Sequence, residues 1–285
     1  LGEVLAEGAG VKVAMNTDLD LTLSQGRADG HIRLKEGQSC FCSLTWGRGI
    51  DSPVRSAPQA IERVDETVES WRQWLIQGRF PDHPWRIHLQ RSALVLKGLI
   101  YAPTGAMLAA ATTSLPETPG GARNWDYRFS WIRDSTVALW SLHSLGFEEE
   151  AHGFLRFVRE RAMESDGDLQ IMYGIGGEHD LTESTLDHLS GYEGARPVRV
   201  GNGAYDQRQN DVWGALLDAV YVNRLTLTRD RDSDEGRDLV LRLVREAIDA
   251  WPKPDQGIWE ARGEAKHYVS SKLMIWVAVD RGARL

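Results

Sequence analysis

From residue 60 to the end of the chain, apolar residues recur at helical spacing in seven segments, and the connections between them alternate between short and long. Ile61, Val64, Val68, Trp71, Trp74 and Leu75 mark the first helix. Further helices are expected over 85–101, 134–145, 148–163, 211–223, 237–251 and 270–280. The first and second helices, and the third and fourth, are separated by only a few residues. Segments 102–133, 164–210 and 252–269 are long. A structureless connection beyond about 15 residues is uncommon in a compact domain and is usually functional or disordered. These three are rich in Trp, Tyr, Gly and charge, a composition that argues against disorder. If successive helices run antiparallel, every second connection falls at the same end. The three long loops would then share one mouth of a toroid of paired helices. The competing architecture, an α-solenoid platform, needs repeated helix-pair sequences, and none is found.

Residues 1–50 read differently. VKVAM, LDLTLS, HIRLKE and CFCSLTW are short and partly alternating, with Asn16-Thr17-Asp18, Gly26, Asp29-Gly30 and Glu36-Gly37 as turn signals. They predict part of a β-sandwich, followed by a linker over 51–59 that carries Pro53 and Pro58, and a helical domain over 60–285. Cys40 and Cys42, the only cysteines, would point to one face of a strand. That suits two small buried side chains in a reducing compartment rather than a disulfide or a metal site.

Bulk properties exclude several partners. The net charge is -8 and no basic cluster approaches what a phosphate backbone asks for, so nucleic acid is not expected. No apolar run is long enough to span a bilayer. With no signal segment visible, a cytoplasmic location is expected, although the chain begins at Leu1 rather than at a methionine. Homo-oligomerisation is compatible with the composition, which does not decide it.

The densest chemistry lies in the first long loop, Arg123 to Asp134, RNWDYRFSWIRD. Three arginines and two aspartates interleave with Trp125, Tyr127, Phe129 and Trp131. An interior avoids charges unless they are paired, and a solvated surface has little use for four rings in a row. Rings beside hydrogen-bonding ions suit a ligand with apolar faces and a hydroxyl edge, such as a sugar. The alternative is a buried loop of aromatics and internal ion pairs. The third long loop carries Gly257-Ile258-Trp259-Glu260-Ala261-Arg262-Gly263. Apolar neighbours would raise the Glu260 carboxyl, the condition for a general acid at neutral pH, whereas Arg262 would lower it. A salt bridge from Glu260 to Arg262 or His267 is the alternative to a catalytic role.

RNWDYRFSWIRDS together with GIWEARG resembles glycoside hydrolase family 15, the glucoamylase and acid-type trehalase family. The similarity extends through VESWRQWL, HPWR, DLQIMYGIGGEHDLTE, SGYEGARPVRVGNGAYDQRQNDVWG and KHYVSSKLMIWVAVDRG, covering nearly the whole helical region. The resemblance implies an (α/α)6 barrel and an inverting hydrolysis with two carboxyl groups and no cofactor or metal. On it, Glu260 matches the general acid, and Arg133 and Asp134 match the pair that holds the non-reducing glucose. Trp131 and Trp259 would be sugar-contacting walls. Trp125, Asp126, Arg262 and His267 are further members, and Arg196, Asn202 and Gln207 of the central loop are plausible pocket residues. YGIGGE, the central loop and RDSTVALW are closer to the actinobacterial trehalase branch than to the starch-acting members. The implied substrate is a small carbohydrate, trehalose, against a glucoamylase-like exo-hydrolase of α-glucans. A non-catalytic carbohydrate-binding protein is a third reading.

Seven helices are short of the twelve that the resemblance implies. It places the general base beyond Leu285, and Glu178, Glu183, Glu193 and Glu264, all in loops, do not occupy the matching motif. The chain is therefore expected to be the first part of a longer protein, unable by itself to complete the reaction, with some apolar helix faces left uncovered.

Overall fold

The computed structural model describes residues 2–8, 10–47, 53–164, 169–223 and 234–285. They form two compact units, the first ending at Ile76 and the second beginning at Gln77.

In the first unit, strands β1 (Gly2–Gly8), β2 (Val11–Thr17) and β5 (Cys42–Trp46) form an antiparallel sheet in the order β1-β2-β5. A separate hairpin joins β3 (Leu21–Ser24) to β4 (Arg27–Gly30). Four sequence expectations are corrected here. HIRLKE is not a strand; the ladder lies one step earlier, because Gln25 and Gly26 both take positive φ (48° and 78°) in a two-residue turn that pairs Ser24 with Arg27. Asp29-Gly30 is consequently in the ladder rather than in a turn. Asn16 and Thr17, expected to turn, continue β2 and pair with Ser43 and Cys42. The cysteines are not buried together either. Cys40 is half-buried before the strand and Cys42 is exposed on β5, since an edge strand of a three-stranded sheet lacks cover on one face. Helix α1 (Ala57–Leu75) belongs to this unit, starting inside the expected linker, where Ser56 caps it by accepting from the Gln59 N–H. None of its residues is buried, and Ile61, Val64, Val68 and Trp71 are exposed.

The second unit is helical: α2 (Arg86–Gly98), α3 (Ile132–Ser144), α4 (Glu149–Glu164), α5 (Val212–Val222), α6 (Asp234–Ala250) and α7 (Val269–Arg284). With α1 this makes the seven expected helices among the described residues. Helix α5 is apolar around most of its circumference, as a helix enclosed by others must be. Trp213, Ala215, Leu216, Leu217 and Ala219 are all buried, and the helix packs against α7, α3 and α6. Each of the two leucines contributes about 1.5–3 kcal/mol by leaving water. Gly214 permits the closest approach, since a Cβ there would collide with the Met274 carbonyl of α7. Gly214→Ala is expected to lower stability by about 1–3 kcal/mol, read as a lower denaturant midpoint; an unchanged midpoint would show that α7 can yield.

Among the described residues, not every apolar face finds a partner. Val137 and Trp140 of α3, Leu241 and Ile248 of α6, and Leu273, Trp276 and Val279 of α7 are exposed. This is the pattern of a helical toroid that is partly built. Among the described residues, no helix is long and apolar enough to cross a membrane.

The long loops are structured by short ladders. Strand β6 (Ser130–Trp131) pairs with β7 (Met172–Tyr173), and β8 (Ser184–Thr185) pairs with β9 (Arg199–Val200). Isolated bridges join Thr113 to Asp126 and Asp255 to Lys266. Together they tie the first loop to the second and close the third on itself.

Candidate active site

One cavity of about 660 Å³ draws its lining from all three long loops and the start of α3. That volume lies in the range of small-molecule sites, roughly 300–1,000 Å³. Trp125, Tyr127 and Trp131 come from the first loop, Asn202 and Ala204 from the second, and Ile258 to Arg262 from the third, with Arg133 and Asp134 on the first turn of α3. The alternation of connector lengths thus does place the long loops around one site.

Trp131 is buried at the N-cap of α3, with the rings of Tyr127 and Phe129 at 5.9 and 6.4 Å. Its indole N–H donates to Glu260 Oε1 at 2.7 Å across 129 residues of sequence. The Glu260 side chain keeps 25 % exposure. Burial pushes its carboxyl above the ordinary glutamate range, against the lowering effects of the Trp131 hydrogen bond, the Arg133 cation and the Gln209 amide; Asp134 adds to the rise. Glu260 also takes φ of 54°, a left-handed backbone that costs a non-glycine residue strain and is found where a side chain must be aimed. The loop is held in that shape from outside. Gln207 Nε2 donates to the carbonyls of Glu260 and Ala261 at 3.3 and 3.4 Å.

The two nitrogens at the tip of Arg133 are used differently. Nη1 donates to Gln209 Oε1 at 2.9 Å and to Asp211 Oδ2 at 3.1 Å. Nη2 lies 3.7 Å from Asp134 and 3.9 Å from Glu260, beyond hydrogen-bond range. Asp134 is more exposed, and as an acid in the first turn of a helix it is favoured by the dipole. A fixed cation and a reachable carboxylate side by side can grip vicinal hydroxyls as donor and acceptor.

The outer wall is an aromatic clasped by cations. The guanidinium carbons of Arg199 and Arg262 lie 4.6 and 4.5 Å from the Trp125 ring centroid, and the indole N–H donates to Glu117 at 3.2 Å. Glu183 joins the two arginines, at 3.3 Å from Arg199 and 2.8 Å from Arg262, and accepts from the Gly203 N–H. Burial by itself would raise Glu183, but the Arg262 hydrogen bond, the Gly203 N–H and both cations outweigh it and hold the carboxyl below its usual range. Arg262 therefore pairs with Glu183 and not with Glu260, which removes the expected competitor for the Glu260 carboxyl. Trp259 lines the cavity with 85 % exposure.

Four residues expected in the pocket do not line it. Asp126 is fully buried, chelates its neighbour Arg128 through both oxygens and accepts from the Gly201 N–H. Desolvation opposes the charged form, yet these donors prevail and its carboxyl sits below the ordinary aspartate range. In an alternating loop the charges point away from the rings, so Asp126 braces the wall from behind. His267 and Arg196 are exposed away from the cavity, and Gln207 acts on the backbone of the Glu260 loop rather than on its contents. Gln209, Asp211 and Glu117 were missed, and Glu183 was noted only as a loop glutamate outside the general-base motif. Local pattern offered only membership of a long loop or, for Asp211, a helix start, because each is defined by a partner 8 to 79 residues away. Among the described residues no group of three or more His, Cys, Asp or Glu could hold a metal ion.

Comparison with known proteins follows the same lines. A family model described as Glycosyl hydrolases family 15 matches residues 85–285. Proteins named trehalase from Mycobacterium tuberculosis and Mycolicibacterium smegmatis are each 51% identical over 274 residues, covering 95% of this chain and 40% of theirs. A trehalase of Thermoplasma volcanium is 35% identical over 94% of this chain and 42% of its own. The chain thus spans about two-fifths of the length of the curated relatives it matches. No solved structure matches it. With the family model spanning the second unit from Trp85 onward, and with relatives matching nearly the whole chain, this chain belongs to glycosyl hydrolases family 15.

Proposed function

We propose that the protein carrying this chain is an inverting α-glucoside hydrolase whose substrate is trehalose, and that this chain supplies the glucose grip and the general acid. The helices of the second unit, α2 to α7, are then part of an (α/α)6 barrel. The observation that carries the reading is the Glu260 carboxyl, desolvated in the cavity with Arg133 and Asp134 beside it. Oε1 accepts from the Trp131 indole, which leaves the proton to Oε2. A proton delivered from Oε2 to the glycosidic oxygen leaves an anion that the indole N–H and the Arg133 cation stabilise. Proton loss is thus eased at the moment of bond cleavage, when the stabilisation counts.

Arg133 and Asp134 hold the hydroxyls of the non-reducing glucose, while Trp131 and Tyr127 offer faces to its C–H surface. The Trp125 clasp, farther out, faces the leaving sugar. The carboxylate that activates water on the opposite face is assigned to no residue of this chain. Trehalose is favoured over α-1,4 glucans by the names of the relatives, which align with nearly all of this sequence. Hydrolysis assays of the full-length protein on trehalose, maltose and maltotriose test this. Trehalose turnover with inversion at the anomeric carbon is expected. Turnover of maltose without trehalose would instead assign it to the glucoamylase type, and sugar binding without hydrolysis would remove the catalytic reading.

A further inference from the structure

Asp211 stands where a helix cap is expected and does not cap. It is the N-cap residue of α5, yet its side chain makes no hydrogen bond to the helix N–H groups, although aspartate is among the best residues for that task. Its side chain keeps only 2% exposure; Oδ2 binds Arg133 Nη1 at 3.1 Å, and Oδ1 is buried with no hydrogen-bond partner among the described residues. A buried carboxylate with an idle oxygen is costly. What it has in exchange is the guanidinium that reaches Glu260.

We propose that Asp211 is a positioning residue: it anchors and neutralises Arg133, so that the cation can grip substrate without drawing the proton from Glu260. This rests on the reading of Glu260 as the acid. Arg133 lies between the two carboxyl groups, 3.1 Å from Asp211 and 3.9 Å from Glu260. An unneutralised cation at that distance would favour the ionised form of Glu260, which cannot donate a proton. Of the other groups that face Glu260, only Asp134 acts in the same direction, and it is screened by solvent. Asp134 is on the same helix turn but exposed, the Trp131 indole and the Gln209 amide both favour the anion, and Tyr127 is a neutral phenol at working pH. Asp211 is the buried counter-charge, and the N–H it binds is the one turned away from Glu260.

The test is the pH profile of kcat/KM of the full-length protein, whose basic limb reports loss of the acid's proton in the free enzyme. Asp211→Asn keeps an oxygen for Arg133 but removes the charge, and should move that limb to lower pH by about one unit. Asp211→Glu, which keeps the charge, should bring it back. Should Asp211→Asn fail to fold, Arg133→Gln/Asp211→Asn removes cation and counter-charge together, and its limb should stay near that of the parent. An unmoved limb in Asp211→Asn, or a limb displaced by a unit or more in the double variant, overturns the proposal. Glu260→Gln separates the two readings. If it stays active, the acid assignment itself falls; if it is inactive while Asp211→Asn leaves the limb in place, only the role of Asp211 falls.

Discussion

Glu260→Gln is expected to lower kcat of the full-length protein by about 10²–10⁴-fold, the usual contribution of a positioned general acid, with little change in KM or in the unfolding midpoint. The amide is the same size and its oxygen can still accept from the Trp131 indole, so the left-handed loop and the cavity wall should persist. What disappears is the proton on the other oxygen. A substrate with a leaving group that departs without protonation should recover part of the rate, because only the need for an acid has been removed. A kcat within a few-fold of the parent would take Glu260 out of this role, and a collapsed midpoint would show that its hydrogen bond supports the fold.

The second large effect concerns stability. Arg133→Ala should destabilise the protein by about 3–5 kcal/mol, because removing one member of a buried pair strands the other. Asp211 would be left with neither oxygen partnered by a cation in a site of 2% exposure. Activity should fall as well, through the lost hydroxyl grip. Arg133→Ala/Asp211→Asn should be more stable than Arg133→Ala alone, since the uncompensated charge is then gone. Denaturant unfolding of both variants checks this. A loss below about 1 kcal/mol in the single variant, or no recovery in the double, would mean that water reaches Asp211 and solvates it.

Much of the helical unit was legible because its determinants are local. Helix boundaries followed the apolar period to within a few residues, and the helix-start position of Arg133 and Asp134 came with them. The strand region was read less well. There the register depends on which residues accept positive φ, and Gln25 took a conformation that composition assigns more readily to Asn or Gly. The cysteines were misplaced for a related reason: an edge strand alternates like any other, and nothing in its sequence says which face lacks cover.

The same division runs through the site. Segments that carry rings and charges on long loops could be identified from the chain, and Trp125, Trp131, Arg133, Asp134, Asn202, Trp259, Glu260 and Arg262 do meet around one cavity. Which charge answers which was beyond local pattern. Asp126 turned inward to Arg128, Arg262 took Glu183, and Arg133 took Asp211 and Gln209.

The sequence by itself determined the helical periods, the order of short and long connections, and the family, because these depend on neighbours within a few turns or on motif order. Tertiary structure alone decided the pairing of charges, the desolvation of Glu260 and the withdrawal of Asp211 from its helix cap. Those depend on distance through space and on access to water, and both arise only when segments far apart in the chain are packed against each other.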